Sequence, residues 1–237
     1  MEEILEKISY FTTVNIDNLS KDDIKIKINE LVKLVGYVKE QNKYVLVLDL
    51  ETNGLPEMAG FNKYYSYNDI EKYKSSRIVQ CCMALYDNNG NEIEIMDKII
   101  KPNGYDIKNF DIHGITYEKA IKEGIELNSI ISNIKEYLLK SYVIVGHNIN
   151  FDVNILSSEL YRAKEYNTAF NLVTKQRYCT MFKSRNIVKV LNANGKVKLP
   201  KLSELYLSLF HKESENNHDA RYDVRNCAKC YFELIKK

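Results

Sequence analysis

The stretch from Tyr44 to Glu51, "YVLVLDLE", is apolar on both faces of a strand until Asp49 and Glu51 interrupt it. A strand with one wet face alternates polar and apolar residues, whereas a continuous Val/Leu run belongs in the middle of a sheet covered by helices on both sides. The rest of the chain has to supply those layers. "RIVQCCMALYD" (77–87) and "NEIEIMDKII" (91–100) read as two further strands, and the Asn88-Asn89-Gly90 turn between them suits a hairpin. After "HGIT" (113–116), residues 117–140 read as helical with an interruption near Gly124, and "SYVIVGHN" (141–148) as a short buried strand. A helix is expected from Phe151, with Ile155, Leu156 and Leu160 on one face. "RYCTMF" (177–182) is expected as a last strand, and "LPKLSELYLSLF" and "DARYDVRNCAKCYFELIKK" as closing helices. A strand meander followed by alternating helices and strands indicates an α/β domain with a mixed sheet. The Tyr- and Asn-rich segment 56–76 is expected to be mainly loop, a flap on the substrate side.

Ahead of this domain, Ser20 and Asp23 offer a helix start, and Ile24, Ile28, Leu31, Val35 and Val38 recur at helical spacing. The chain is therefore expected to comprise a helical extension, 1–43, packing beside a main domain, 44–237. No stretch approaches the roughly 18 apolar residues of a membrane span, and "MEEILEKISYF" carries acids where a signal peptide would be basic. Five cysteines at irregular spacings fit a reducing compartment, so a cytoplasmic protein away from membranes is expected. A net charge of +2 gives no global reason to infer nucleic-acid binding. The charge is unevenly placed: no acid lies between Glu165 and Glu204, where Lys175, Arg177, Lys183, Arg185, Lys189, Lys196, Lys198 and Lys201 fall.

Alternation puts Asp49 and Glu51 on one face at the carboxyl end of their strand, the end at which open α/β sheets bind ligands. Two carboxylates there repel each other and lose hydration, which is tolerable if a cation sits between them or if solvent reaches them. Asp152 opens a helix just after a short apolar strand, at the same edge of the sheet. His218 and Asp223 are five apart, about 500° of helix, so they converge only if His218 lies in a loop and Asp219 caps the helix that carries Asp223.

Together these residues resemble the DEDDh 3′–5′ exonucleases of the ribonuclease H-like superfamily, which includes the proofreading subunit of bacterial replicative polymerase. The motifs are "DLETNG", "GHNINFDVNIL" and "HDARYD", in order, and the resemblance runs from about Tyr44 onward with no core acid missing. It implies a five-stranded mixed sheet, a three-strand antiparallel meander plus parallel strands, flanked by helices. It also implies two divalent cations, Mg²⁺ or Mn²⁺, held by Asp49, Glu51, Asp152 and Asp223, with His218 taking the proton from the attacking water. The expected product is a nucleoside 5′-monophosphate. By the same resemblance Thr52, Asn53, Gly54 and Leu55 grip the 3′ end and Phe151 lies near the scissile end. The basic interval and Tyr64, Tyr65 and Tyr67 are candidates for holding a single strand.

The substrate stays open between the 3′ ends of DNA and RNA, and partners between none and a DNA polymerase. A non-catalytic nucleic-acid or polymerase-binding module is the competing class, and it would ordinarily have lost an acid. Cys227 and Cys230 could be drawn into a zinc site with His211 and His218, but their spacing in an amphipathic helix favours core cysteines. Cys81 and Cys82 should point to opposite faces of their strand, and His113 and His147 are expected as turn or core histidines.

Overall fold

The computed structural model describes residues 19–214 and 219–236, and the chain divides into two units, Met1–Lys43 and Tyr44–Lys237. In the first unit, helix α1 (Lys21–Gln41) starts on a reciprocal cap. The Asp23 amide donates to Ser20 Oγ at 3.2 Å, while the Ser20 hydroxyl and amide both donate to Asp23 Oδ2, at 2.6 and 3.2 Å.

The second unit is built on β1 (Tyr44–Thr52), β4 (Ile78–Tyr86), β5 (Glu92–Ile99), β6 (Ser141–Gly146) and β7 (Arg177–Cys179), in the order β5-β4-β1-β6-β7. β1 pairs antiparallel with β4 and β4 with β5; β1 and β6, then β6 and β7, are parallel. The mixed sheet and its meander are thus as the sequence implied. β1 occupies the centre, and Val45, Leu46, Val47 and Leu48 are buried on both of its faces.

One layer consists of α4 (Ile131–Lys140), α5 (Asn150–Arg162) and α6 (Tyr166–Thr174). Ile134, Tyr137, Val153, Ile155, Leu156, Leu160, Ala169 and Leu172 from these helices pack on Leu46, Leu48, Leu50, Cys81, Met83 and Leu85. The opposite layer centres on α9 (Ala220–Leu234), whose Ala220, Val224, Cys227, Ala228 and Tyr231 cover Val45, Val47, Cys82, Ala84, Val143 and Val145. Cys81 and Cys82 do face opposite sides, and Cys227 and Cys230 are buried core residues. The remaining helices are α2 (Phe110–His113), α3 (Tyr117–Glu123), α7 (Thr180–Val188) and α8 (Leu202–Phe210).

Residues 56–76 are mainly loop, as expected, with two additions: β2 (Met58–Gly60) and β3 (Lys63–Tyr64) form a small hairpin, and a 3-10 turn spans Ile70–Tyr73. "RYCTMF" is a strand only to Cys179. Thr180 is buried and donates to the Gly146 carbonyl at 3.3 Å, and α7 begins there. α6 was not foreseen; Ala169 and Leu172, both fully buried, hold it against the core.

Candidate active site

The face of β1 that carries Val45 and Val47 also carries Asp49 and Glu51, so the layer that meets these two acids is α9. That helix is capped where the sequence suggested: Asp219 Oδ1 accepts from the Arg221 amide at 3.0 Å. Asp223 is consequently one turn in and faces the strand end. Asp49, Glu51 and Asp223 come together, one carboxylate oxygen from each lying within 4.8 Å of the other two.

Asp152 arrives from the other layer. The β1–β6 ladder ends at the Val47–Val145 pair, and the Leu50 amide lies past it. The Leu50 amide donates instead to Asp152 Oδ1 at 3.0 Å, in the first turn of α5. Asp152 is 3% exposed, the most deeply buried of the four acids. Gly146 permits this edge to close, since a Cβ there would stand 3.0 Å from the Leu48 carbonyl and 2.7 Å from Ile149 Cδ1.

The electrostatics are those of acids crowded together and partly removed from water. Burial pushes the Asp49 carboxyl well above the usual range, and the charges of Asp152, Asp223 and Glu51 push it further. Glu51 is raised to about 7, first by burial and then by Asp223 and Asp219. Asp152 is raised by burial and by Glu51, against the opposing hydrogen bonds from the Leu50 amide and its own. An oxygen-only donor set whose members repel one another fits a hard divalent cation, which would stabilise every ionised form at once. His218, the expected fifth member, lies outside the described residues.

A sequence model of the exonuclease family of RNase T type matches residues 46–231, which takes in Asp49, Glu51, Asp152 and Asp223. The chain belongs to the DEDDh 3′–5′ exonuclease family. No curated protein matches it by sequence. Among solved structures it is similar to E. coli Exonuclease I in complex with a dT13 oligonucleotide, at 20% identity and a TM-score of 0.60. That likeness covers 82% of this chain and 41% of Exonuclease I, so the chain spans about two fifths of the length of that relative. Exonuclease X in complex with 5′-overhanging duplex DNA is 18% identical with a TM-score of 0.52, covering 81% of this chain and 91% of the other. A 3′-exonuclease that recognises the histone mRNA stem-loop is 13% identical with a TM-score of 0.54, covering 82% of each chain. At these identities the likeness is one of fold, here the ribonuclease H-like fold of exonucleases.

Within this family member the loop after Glu51 is held by its own chain. The Asn53 amide donates to the Arg77 carbonyl at 3.0 Å, Asn53 Oδ1 accepts from the Arg77 amide at 2.7 Å, and Nδ2 donates to the Asp106 carbonyl at 3.0 Å. The Thr52 hydroxyl donates to the Gly54 carbonyl at 2.8 Å. A Cβ on Gly54 would stand 2.5 Å from the Ser75 carbonyl oxygen, so glycine is required here by the protein's own backbone. Gly54→Ala is therefore expected to displace the loop and cost about 1–3 kcal/mol in thermal unfolding, with a fall in activity. Leu55, by contrast, is 74% exposed. Phe151 is half-buried and packs on the main core.

The other histidines behave as the sequence suggested. His113 Nδ1 accepts from the Ile115 amide at 3.2 Å in a turn. His147 Nε2 donates to the Pro200 carbonyl at 2.9 Å, Nδ1 stands 2.9 Å from the Thr180 hydroxyl, whose single proton it shares with the Gly146 carbonyl, and burial lowers the His147 pKa to about 4. The basic interval is less uniform than its composition implied. Lys198 is paired with Glu204 at 2.6 Å, and Lys175 Nζ donates to the Leu138 carbonyl. Tyr67 stacks edge-on against Tyr161, with centroids 6.1 Å apart.

Proposed function

We propose that this protein is a divalent-metal-dependent 3′–5′ exonuclease that releases nucleoside 5′-monophosphates from single-stranded or frayed 3′ ends of DNA. The observation that carries the reading is the convergence of Asp49, Glu51 and Asp223 within 4.8 Å at the end of the central strand, in a family of exonucleases. Two bound cations, Mg²⁺ or Mn²⁺, would supply charge neutralisation at the phosphodiester and at the oxygens that attack and leave.

The chain's own residues account for the remainder. Asp49, Glu51 and Asp223 would hold the cations, with Asp152 behind them fixing both the Leu50 backbone and a further negative charge. His218 sits immediately before the Asp219 cap in sequence and would take the proton of the attacking water, imidazole being the side chain whose reference pKa lies near neutrality. Thr52, Asn53 and Gly54 would present a stiff backbone to the terminal nucleotide, and exposed Leu55 an apolar edge to its base.

The DNA preference draws on the likeness to Exonuclease I and Exonuclease X, whose structures contain DNA. An exoribonuclease is the second reading, favoured by the likeness to the histone mRNA enzyme. The test compares 3′-labelled single-stranded DNA, duplex DNA and RNA with magnesium and with chelator. Labelled mononucleotide should appear with magnesium only, fastest from single-stranded DNA, and His218→Ala should slow it by about 10²–10⁴-fold. Release that persists in chelator and in His218→Ala would overturn the reading; faster release from RNA would replace DNA as the substrate.

A further inference from the structure

Beside the acids, but outside them, lies an open cleft of about 690 Å³ between the β2–β3 hairpin and the outer side of α5. Lys63, Tyr64 and Tyr65 line it from the hairpin, Asn150 and Asn154 from the first turns of α5, and Arg177 from β7. Its volume is within the range of about 300–1,000 Å³ usual for ligand clefts. Its character is opposite to that of the neighbouring site, because among the described residues no acid lines it.

We propose that this cleft is the subsite for the nucleotides just 5′ of the terminal one in a single-stranded substrate, a reading that rests on the proposed nuclease function. Three observations converge on it. Arg177 is held in place, with Nη1 donating to Asn150 Oδ1 at 3.1 Å and Nη2 to the Val173 carbonyl at 2.8 Å, so its charge is presented without much loss of side-chain freedom. Lys63 adds an exposed cation across the cleft. Phosphates of a strand meet both.

The tyrosines supply the second element. Base faces stack on aromatic rings with little regard to sequence, which suits a chain of changing bases moving through one position. Asn150 and Asn154 add amide groups able to meet sugar or base edges, and the Asn154 amide is fixed by donating to the Asn150 carbonyl at 2.7 Å.

Continuity with the acids is the third. Asn150 and Asn154 lie on the outer face of the same helix turn whose inner face carries Asp152, about 200° round the axis, and the Tyr64 side chain is hydrogen-bonded to that of Asn148, four residues before Asp152. A strand whose last phosphodiester lies at Asp49 and Glu51 can thus continue over the first turn of α5 into the cleft.

The test measures Kd by fluorescence anisotropy for a labelled nucleoside 5′-monophosphate, which lacks the nucleotides assigned to the cleft, and for a single strand of about ten nucleotides. It is done in the Asp49→Asn background so that the strand survives, after nucleotide release by the parent has been assayed. Tyr64→Ala, Arg177→Gln and Lys63→Glu should each weaken binding of the strand by at least about fivefold and of the mononucleotide by less. Lys63 is exposed, so Lys63→Glu keeps the inference testable if Tyr64→Ala or Arg177→Gln fails to fold. A parent that releases nucleotides while the folded variants bind the longer strand undiminished overturns the cleft and leaves the nuclease reading standing. A parent that neither degrades nor binds the strand overturns both.

Discussion

Asp49→Asn is expected to reduce nucleotide release by about 10³-fold or more while making the metal-free protein more stable. Both effects have one origin. Burial disfavours the ionised form of Asp49 in the folded chain, and the carboxylates of Asp152, Asp223 and Glu51 disfavour it further. The amide keeps the shape and removes one of the repelling charges, which should raise the melting temperature in chelator by several degrees, about 1–3 kcal/mol. The same charge is what a cation needs, so added magnesium should stabilise the parent far more than the variant.

The pH dependence has a definite sign. Glu51 titrates near 7 in the folded protein, above its ordinary value of 4.5. Between those values the folded state binds more protons than the unfolded one, so stability in chelator falls as pH rises from about 4.5 to 7, and a group with a raised carboxyl loses rather than gains from ionising. The Glu51 contribution is about 3 kcal/mol at most. Thermal melts across this range, with chelator and with magnesium, should show the slope disappear when metal is present. A metal-free protein that becomes steadily more stable toward neutral pH would contradict this account of the site.

The second large effect is expected away from the acids. Glu159, 7% exposed on α5, receives Arg77 through two hydrogen bonds, that from Nη2 being 3.1 Å long, and Arg162 Nε stands 3.9 Å from the same carboxylate. Arg77 also lies 4.6 Å above the ring of Tyr105. Glu159→Ala would leave two guanidinium groups facing each other with little water, a lesion of about 3–5 kcal/mol and roughly 10 °C in melting temperature for a domain of this size. Arg77 is the residue to which both the amide and the side chain of Asn53 are bonded, so the damage should reach the loop beside Glu51 and lower activity as well. Arg162→Ala leaves the Arg77 pair intact and should cost distinctly less. Equal losses from the two substitutions, measured by denaturant unfolding, would show that the carboxylate is not the centre of this cluster.

Much of the site could be read from sequence because it depends on short-range rules. Alternation along β1 put Asp49 and Glu51 on one face, and the Asp219 cap fixed the phase of α9 that turns Asp223 toward them. What could not be read is long-range. Nothing local to Asp152 says that its carboxylate ends on the amide of Leu50, 102 residues earlier. Nothing in "DLETNG" says that Asn53 is spent on Arg77 and Asp106, or that Gly54 answers to the Ser75 carbonyl. α6 escaped because "YNTAFNLVT" is rich in Asn and β-branched residues and owes its helix to packing. The strand expected through Phe182 failed because "RYCTMF" has strand composition throughout, while the buried Thr180 hydroxyl ties the chain to Gly146 and turns it into α7.

Because α9 both shields one entire side of the sheet and carries Asp223, catalysis and solubility are coupled at the level of synthesis. A ribosome that has not yet delivered Ala220 onward has made a polypeptide with Val45, Val47, Val143 and Val145 uncovered and a cation cage lacking a wall. A nascent or truncated chain ending before that helix is therefore expected to bind chaperones through this uncovered face and to release no nucleotide.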